Sequence, residues 1–467
     1  MTQRAVIIGG GLAGIAAALR LAEAGWCPIV LETRKKLGGR ATSFPDQRSG
    51  QALDNCQHVL MGCFTALLDL YDRLGVTDQI EWHERLYWYR EDGGVDLLKP
   101  GRLPAPLHTA GSFRRMKLLT RAEKAGIRRA MWKMLRGGRG LRGTWRTRTF
   151  GAFLDEMRQS SEAIRLFWDT IIISACNLPS HQVAAEHGMQ VFQEAFLGSR
   201  WAGTMGLSTV PLAALYDPAE ALIRESGGEL RLGCSVREIC LEQNRAVGVM
   251  TGDSMERGQA VITTVPPDRL GKLLPEDVRR NDRRLSALSR FSFSPILGVH
   301  LHWPTQVMTL PHLVLSGRPV HWIFNKGVDE HGRQHLHCVI SAADEWMPLD
   351  EQQILARVLD ELKGPLPETV GLEPVSVRAV KEKHATFAAT PEIEPDRPPA
   401  APGAVGVHGG DIESLYLAGD WSATGWPATM EGAVRSGYAA AAAASGTPSG
   451  IEDIPAARVA RWLGVDR

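Results

Sequence analysis

Three glycines near the amino end constrain this chain more than any other feature. Gly9, Gly11 and Gly14 stand between Ala5-Val6-Ile7-Ile8, which reads as a buried strand, and residues 12–24, an Ala/Leu-rich helix. Residues 28–32 read as a second strand, so the order is strand, glycine turn, helix, strand: a βαβ unit. In such a unit Gly9 permits the tight turn, Gly11 lets backbone approach a pyrophosphate, and Gly14 allows close helix–sheet packing. The phosphates then lie at the helix amino terminus, where free N–H groups and the dipole favour anions. Glu32 closes the second strand, and a carboxylate there can accept hydrogen bonds from a ribose diol. The spacing predicts a dinucleotide-binding, Rossmann-like α/β domain.

The rest of the 467 residues must be fitted around that unit. With 44% hydrophobic and 22% charged residues, the composition is globular and excludes disordered, collagen-like and fibrous chains. Residues 111–200 read as mostly helical, 229–265 as several short strands, and 291–303 and 335–342 as alternating strands. A proline-rich stretch, 389–404, reads as a linker or surface loop. A short strand at 415–418 and a helix from about 429 to 445 follow, and the last twenty residues carry no usable signal. The expected architecture is a nucleotide-binding domain built from discontinuous segments, 1–85, 206–270 and 405–445, with an inserted α+β substrate domain. That insertion comprises a helical, membrane-contacting part at 86–205 and a sheet-and-helix part at 271–404, leaving 446–467 as a tail.

Seven scattered cysteines, with no Cys-x-x-Cys pair, argue against a disulfide framework or a zinc site and fit a reducing compartment. The amino terminus enters a strand at once, with no charged region and cleavage site of a signal peptide. No run approaches the roughly 18 apolar residues of a spanning helix. The expected location is cytoplasmic, peripheral to the inner membrane, and no metal is expected.

The particular dinucleotide is decided further along. Glu32-Thr33-Arg34-Lys35-Lys36-Leu37-Gly38-Gly39-Arg40 resembles the ExRxxxGGR segment of the flavin amine oxidase and phytoene desaturase superfamily. Leu417-Ala418-Gly419-Asp420-Trp421 resembles that superfamily's Gly-Asp flavin motif, and Met430-Glu431-Gly432 begins a segment similar to the helix after it. The resemblance implies FAD, with Gly9, Gly11, Ala13, Gly14, Glu32, Arg34, Gly39, Arg40, Gln57, Gly419, Asp420 and Met430 as cofactor-binding residues. Val236 matches the adenine-side valine, although a core strand residue would look the same.

Leu53-Asp54-Asn55-Cys56-Gln57-His58 resembles the DNGQH stretch of squalene-associated FAD-dependent desaturases, the hydroxysqualene dehydroxylases, and residues 419–432 are similar to their GDWTATGWPATMEG. Asn177-Leu178-Pro179 resembles their NTP segment, and residues 200–215 their substrate-domain signature. The chain departs at Cys56, where the family has Gly, and at Leu178, where it has Thr. The resemblance implies reductive removal of the hydroxyl of a thirty-carbon isoprenoid alcohol, hydroxysqualene, giving squalene in hopanoid and squalene biosynthesis. An association with other squalene-pathway enzymes would follow.

The substrate's hydroxyl is allylic, so departure of water leaves a delocalised cation that accepts hydride, and an acid is needed near the leaving oxygen. Asp54 and His58 are the catalytic candidates. Asp54 could equally satisfy loop N–H groups, and His58 could pack or bond to backbone. Two alternatives share every cofactor motif: a phytoene-desaturase-like oxidation of a polyisoprenoid, and a non-catalytic flavin-bound scaffold in an isoprenoid-enzyme assembly. Trp421 and Trp426 are expected to line the flavin pocket or else to fill core, and Cys63 and Cys176 are expected as buried small hydrophobes. His335 and His337, with His331 upstream, are expected as exposed strand histidines.

The net charge of +1 conceals an uneven distribution. Residues 114–148 hold thirteen Lys/Arg and one acid, Glu123, a local +12 that leaves −11 on the remainder. Met116, Leu119, Ile127, Ala130, Met131 and Met134 recur there at helical spacing, with Trp132 nearby. The pattern predicts a helix lying on an anionic membrane surface, with a solvated charge face as the alternative and no nucleic acid as partner.

Overall fold

A computed structural model describes residues 3–403 and 411–465. The first strand, Arg4–Ile8, is apolar along its buried length, and Cys27–Glu32 is buried from Pro28 onward. Strands buried on both faces suit a parallel sheet covered by helices. These two form the centre of a five-stranded, all-parallel sheet in the order Glu229–Leu232, Cys27–Glu32, Arg4–Ile8, Ala260–Thr263, Leu415–Leu417. Three separate stretches of chain therefore converge on one sheet. The helix Leu12–Glu23 covers it, and the helix Met430–Ser445 crosses that helix so closely that a Cβ on Gly437 would lie 2.2 Å from the Ala13 carbonyl oxygen. Val236–Glu242, Arg245–Thr251 and Ser254–Arg257 make a small antiparallel sheet alongside.

A second, seven-stranded sheet runs Ser376–Phe387, Phe293–Trp303, Gln334–Ser341, Trp322–Val328, His312–Val314, Leu86–Tyr89, Val95–Leu98. It is antiparallel except where His312–Val314 meets Leu86–Tyr89. Residues 86–98, expected to open the helical part, thus form two strands of this sheet. Its two faces differ. Leu297, Val299 and Leu301 join Leu336, Cys338 and Ile340 in an apolar core beneath the helix Glu351–Leu362. The opposite face carries Gly298, His300 and His302, in register with Val339, His337 and His335.

The basic stretch departs from its expected role. It forms the helices Ala110–Arg115, Arg121–Gly137 and Gly140–Thr144, the second opened by a Thr120–Glu123 capping box. Its apolar stripe does not face outward: Met116, Leu119, Ile127, Ala130 and Met134 are buried with Phe153, Phe167, Trp168 and Phe192. A single apolar stripe can be buried only once, and here the protein interior takes it. Trp132 remains exposed, as do Arg114, Arg115, Lys117, Arg121, Arg128, Lys133 and Arg136.

The proline-rich stretch is not a linker either. Ala389, Ile393 and Arg397 are buried, and Ala400 packs against the main core. The expected boundary between 404 and 405 lies outside the described residues. Among the last residues, Arg458–Leu463 forms a helix whose Ala460 joins the aromatic cluster.

Candidate functional site

Two groups of residues meet beside the carboxyl ends of the parallel strands. The first is a cradle made largely of backbone. Gly9 turns at φ +106°, and a Cβ on Gly14 would lie 1.9 Å from the Gly9 carbonyl oxygen, so neither position tolerates a side chain. No side chain caps the helix Leu12–Glu23. The amide of buried Ala13 has no protein acceptor among the hydrogen bonds of the described residues. Buried N–H groups are costly to leave unpaired, so an uncapped amino terminus here suits an anionic ligand. A Cβ on Gly11 would meet only Gly39 Cα, at 3.7 Å, which leaves open space over the turn. Glu32 completes the turn by accepting Gly10 N–H at 2.6 Å and Arg34 N–H at 2.7 Å. These features fit a dinucleotide.

Arg34 donates to the Gly39 carbonyl at 2.8 Å. Arg40 reaches farther: its guanidinium bonds to the Asp420 carboxylate and, at 3.1 Å, to the Ala385 carbonyl, while its own carbonyl accepts from the Asn55 side chain. Gly419, at φ +128°, is anchored through its N–H to Ser436 Oγ at 2.7 Å. Met430 opens its helix and is half-buried at the edge of the main core. Val236 begins its strand just after Gly233 and Cys234, whose amides bond to the carbonyls of Arg34 and Glu32. The expected cofactor residues around Arg40 and Asp420 are thereby brought together from opposite ends of the chain.

Sequence reasoning missed what holds the Gly419–Trp426 loop. Arg397 is buried and donates to the carbonyls of Asp420, Ser422 and Trp426, while its other nitrogen meets Glu394 and His187 Nε2. His187 Nε2 lies 2.7 Å from Glu394. Burial alone would raise the Glu394 carboxyl, but His187 and Arg397 hold it well below the usual carboxylate range. A proline-rich composition carries no signal for such a residue. Trp421 fills core rather than a pocket: it is fully buried, bonds through its indole N–H to Val265 and packs edge-on to Phe291. Trp426 is buried against Phe64 with Cys63, Ala195 and Ala202.

The second group surrounds residues 54–58. Asp54 Oδ1 accepts from Ser43 Oγ at 2.7 Å and Leu212 N–H at 3.0 Å, so it does satisfy a loop amide. Its Oδ2 faces Lys326 Nζ at 3.6 Å, and the same ammonium donates to Gln57 Oε1 at 3.3 Å. His58 Nδ1 lies 3.0 Å from the Cys56 carbonyl. A carbonyl only accepts, so Nδ1 carries the hydrogen and Nε2 of the neutral ring presents a lone pair. Burial lowers the His58 pKa and favours that neutral form. Cys56 has no positive φ, so the position the family gives to Gly does not require one here; burial pushes its thiol up. Asn177 is the left-handed cap of its helix and ties Ser294, Thr386 and Ala342 together, a structural role that leaves Leu178 buried. Cys63 and Cys176 are buried thiols, and burial pushes Cys176 up to about 12.

His335 and His337 are not exposed; they belong to a stack on the inner sheet face. The His300 and His337 rings lie 3.9 Å apart and those of His302 and His335 4.4 Å apart. His300 Nε2 lies 2.9 Å from the Asp54 carbonyl, and His300 Nδ1 3.0 Å from His335 Nε2. Burial pushes His300 down to about 4, His335 to about 2 and His337 well below its usual value. Both ring nitrogens of His337 are buried without a partner. Beyond the histidines this face is apolar, with Phe324 and Val339 buried against Met205 and with Val59, Met61 and Trp322 around them.

Comparison with known proteins agrees with this geometry. The family described as flavin containing amine oxidoreductase matches residues 12–445. A hydroxysqualene dehydroxylase from Rhodopseudomonas palustris is 27% identical over 94% of this chain and 98% of its own length. A 15-cis-phytoene desaturase from an Oncidium hybrid cultivar is 26% identical over 92% of this chain and 76% of its own. Among solved structures, an oxidoreductase from Methanosarcina mazei superposes with a TM-score of 0.70 at 18% identity, over 93% of this chain and 98% of that one.

Proposed function

Because this chain belongs to the flavin-containing amine oxidoreductase family and is an FAD-dependent oxidoreductase, we propose that it removes the allylic hydroxyl of hydroxysqualene to give squalene. The observation that carries this reading is a charged, hydrogen-bonded cluster (Asp54, Gln57 and Lys326) lying between the histidine stack and the apolar patch of Phe324, Val339 and Met205. A hydrocarbon substrate has no use for such a cluster, whereas an alcohol in an apolar pocket needs partners for its oxygen. The full-length similarity to a hydroxysqualene dehydroxylase supports the same reading.

In this proposal the cradle residues Gly9, Gly11, Ala13, Gly14, Glu32, Arg34, Gly39, Arg40, Val236, Gly419, Asp420 and Met430 bind FAD, and Gln57 lies at its edge. Reduced FAD supplies hydride. Phe324, Val339 and Met61 hold the isoprenoid chain and keep out water that would recapture the cation. His58 Nε2 accepts the substrate's hydroxyl hydrogen and so orients the oxygen, while Asp54 holds Lys326 in place. The proposed domain division follows the sheets, with the parallel sheet for the cofactor and the histidine-faced sheet for the substrate.

The second reading, desaturation of a polyisoprenoid, rests on the phytoene desaturase similarity. Anaerobic incubation of FADH2-loaded protein with hydroxysqualene separates the two. Squalene formed together with flavin oxidation is the expected result. A new conjugated polyene formed by oxidised enzyme from a polyisoprenoid hydrocarbon, with no squalene from the alcohol, would reverse the assignment.

Peripheral membrane contact through residues 114–148 is part of the same proposal, but in altered form. No helix among the described residues is long and apolar enough to cross a membrane. With the apolar stripe turned inward, contact rests on the exposed cations and Trp132, an electrostatic rather than an inserted attachment.

A further inference from the structure

We propose that Lys326 is the proton donor that turns the leaving hydroxyl into water, an inference that rests on the dehydroxylation reading. Its placement is built, not incidental. The strand Trp322–Val328 breaks register with Gln334–Ser341 between Asn325 and Val328, and Gly327 there adopts φ +102°. Bulges of this kind re-aim side chains beside active sites. Asn325 pins the bulge: its side-chain oxygen accepts Gly327 N–H and Gln334 Nε2, both at 3.0 Å, and its amide donates to the carbonyls of Met308 and Leu310. The result brings the Lys326 ammonium to the 54–58 segment, 3.6 Å from Asp54 Oδ2 and 3.3 Å from Gln57 Oε1.

An ammonium has three N–H bonds. One of these donates to Gln57, Asp54 faces the ammonium as an ion pair at 3.6 Å, and no other protein acceptor is in reach among the described residues. The side chain is partly exposed, which gives it a route to solvent. The neighbouring groups are poor donors by comparison. His300 donates from Nε2 to the Asp54 carbonyl, and burial keeps it and His335 neutral, so its Nδ1 accepts from His335 Nε2. His58 offers a lone pair. The Arg40 guanidinium is committed to Asp420 and Ala385, and an arginine does not give up its proton.

The balance is simple. One Lys326 N–H proton passes to the hydroxyl oxygen, the C–O bond breaks with its electron pair leaving as water, and hydride from reduced FAD completes the new C–H bond. The alcohol is reduced, the flavin oxidised, and the neutral amine regains its proton from solvent.

Single-turnover oxidation of the FADH2 holoenzyme by hydroxysqualene tests the assignment. Lys326→Met and Lys326→Arg should both retain FAD and slow squalene formation by about 10²–10⁴-fold, the range of a lost general acid. Lys326→Ala should regain at least tenfold when ethylammonium is added, which a purely structural lysine would not show. If wild type makes squalene and Lys326→Met keeps pace within threefold, the donor assignment is overturned. Restoration by arginine and not by ethylammonium would also overturn it, leaving only a charge paired with Asp54. If Lys326→Met loses its FAD, Lys326→Arg and the amine rescue decide the matter alone. Wild type that forms no squalene from the alcohol removes the functional reading and this proposal together.

Discussion

The parallel sheet and the histidine-faced sheet hold polar groups by different means. Around Gly9–Gly14 the working groups are backbone amides and turns, all supplied within about thirty residues of chain. At the seven-stranded sheet they are side chains: Lys326, His300 and His335 on its strands, and Asp54 and Gln57 from a segment packed against it, come from parts of the chain up to hundreds of residues apart. Backbone chemistry depends on where glycine allows the chain to go. Side-chain chemistry depends on which strands become neighbours. The first arrangement is robust to most substitutions except those at glycine, whereas the second should show itself through charge and pH.

The largest effect should come from the backbone cradle. Gly14→Ala places a methyl against the Gly9 carbonyl, so the purified protein should be essentially free of flavin absorbance and less stable. Gly11→Ala sharpens the point, because the protein itself leaves room for its Cβ. Thermal stability without cofactor should be nearly unchanged while FAD affinity falls by at least tenfold. Equal FAD affinity in wild type and Gly11→Ala would place the pyrophosphate elsewhere.

Arg397 is the exception that could break the contrast, a side chain serving the backbone site. Arg397→Met takes from Glu394 one of its partners and leaves three carbonyls of the Gly419–Trp426 loop without this donor in a buried place. About 3–5 kcal/mol of destabilisation in urea titration is expected, with weakened FAD binding. A loss below about 1 kcal/mol would mean that the loop holds its shape unaided.

The histidine face predicts an acid limb. These rings ionise near 6.5 when unfolded but are held at about 4 for His300 and about 2 for His335 in the fold. Between those values the unfolded chain binds more protons, so stability is fully present above about pH 6.5 and is lost as pH falls toward 4 and below. Each such histidine adds about 1.4 kcal/mol per pH unit in that window. His337→Leu should make the slope between pH 6.5 and 4.5 shallower, as measured by urea unfolding at successive pH values; an unchanged slope would mean His337 is not held neutral.

The smallest effect should be on the fold at the basic face. Charge reversal at Arg128, Lys133 and Arg136 should change unfolding by no more than about 0.5 kcal/mol per site. The same changes should reduce sedimentation with anionic vesicles, each cation being worth about 1 kcal/mol near such a surface. Equal binding of wild type to neutral and anionic vesicles would remove the electrostatic contact.

How much could be read beforehand follows the same division. The βαβ unit and its glycine turn were legible because each residue's place is set by neighbours in the chain. The 389–404 stretch reads as a linker or surface loop, yet Ala389, Ile393 and Arg397 are buried, because proline content reports stiffness and not burial. The apolar stripe of 114–148 was legible as a stripe, but amphipathicity states only that some partner exists. The fold supplied an aromatic cluster where a lipid surface was expected. His335 and His337 were legible as neighbours on one strand face, yet which face is buried depends on what packs above it.

The sequence by itself determined the glycine turn after the first strand, since glycine's freedom at φ +106° is a property of a short peptide. Only the tertiary structure decided the pairing of Arg40 with Asp420, of Arg397 with its loop, and of Lys326 with Asp54. Each pair joins residues whose approach costs chain entropy that no local preference repays. Strand pairing and core burial do repay it, and they are settled only when the whole chain has folded.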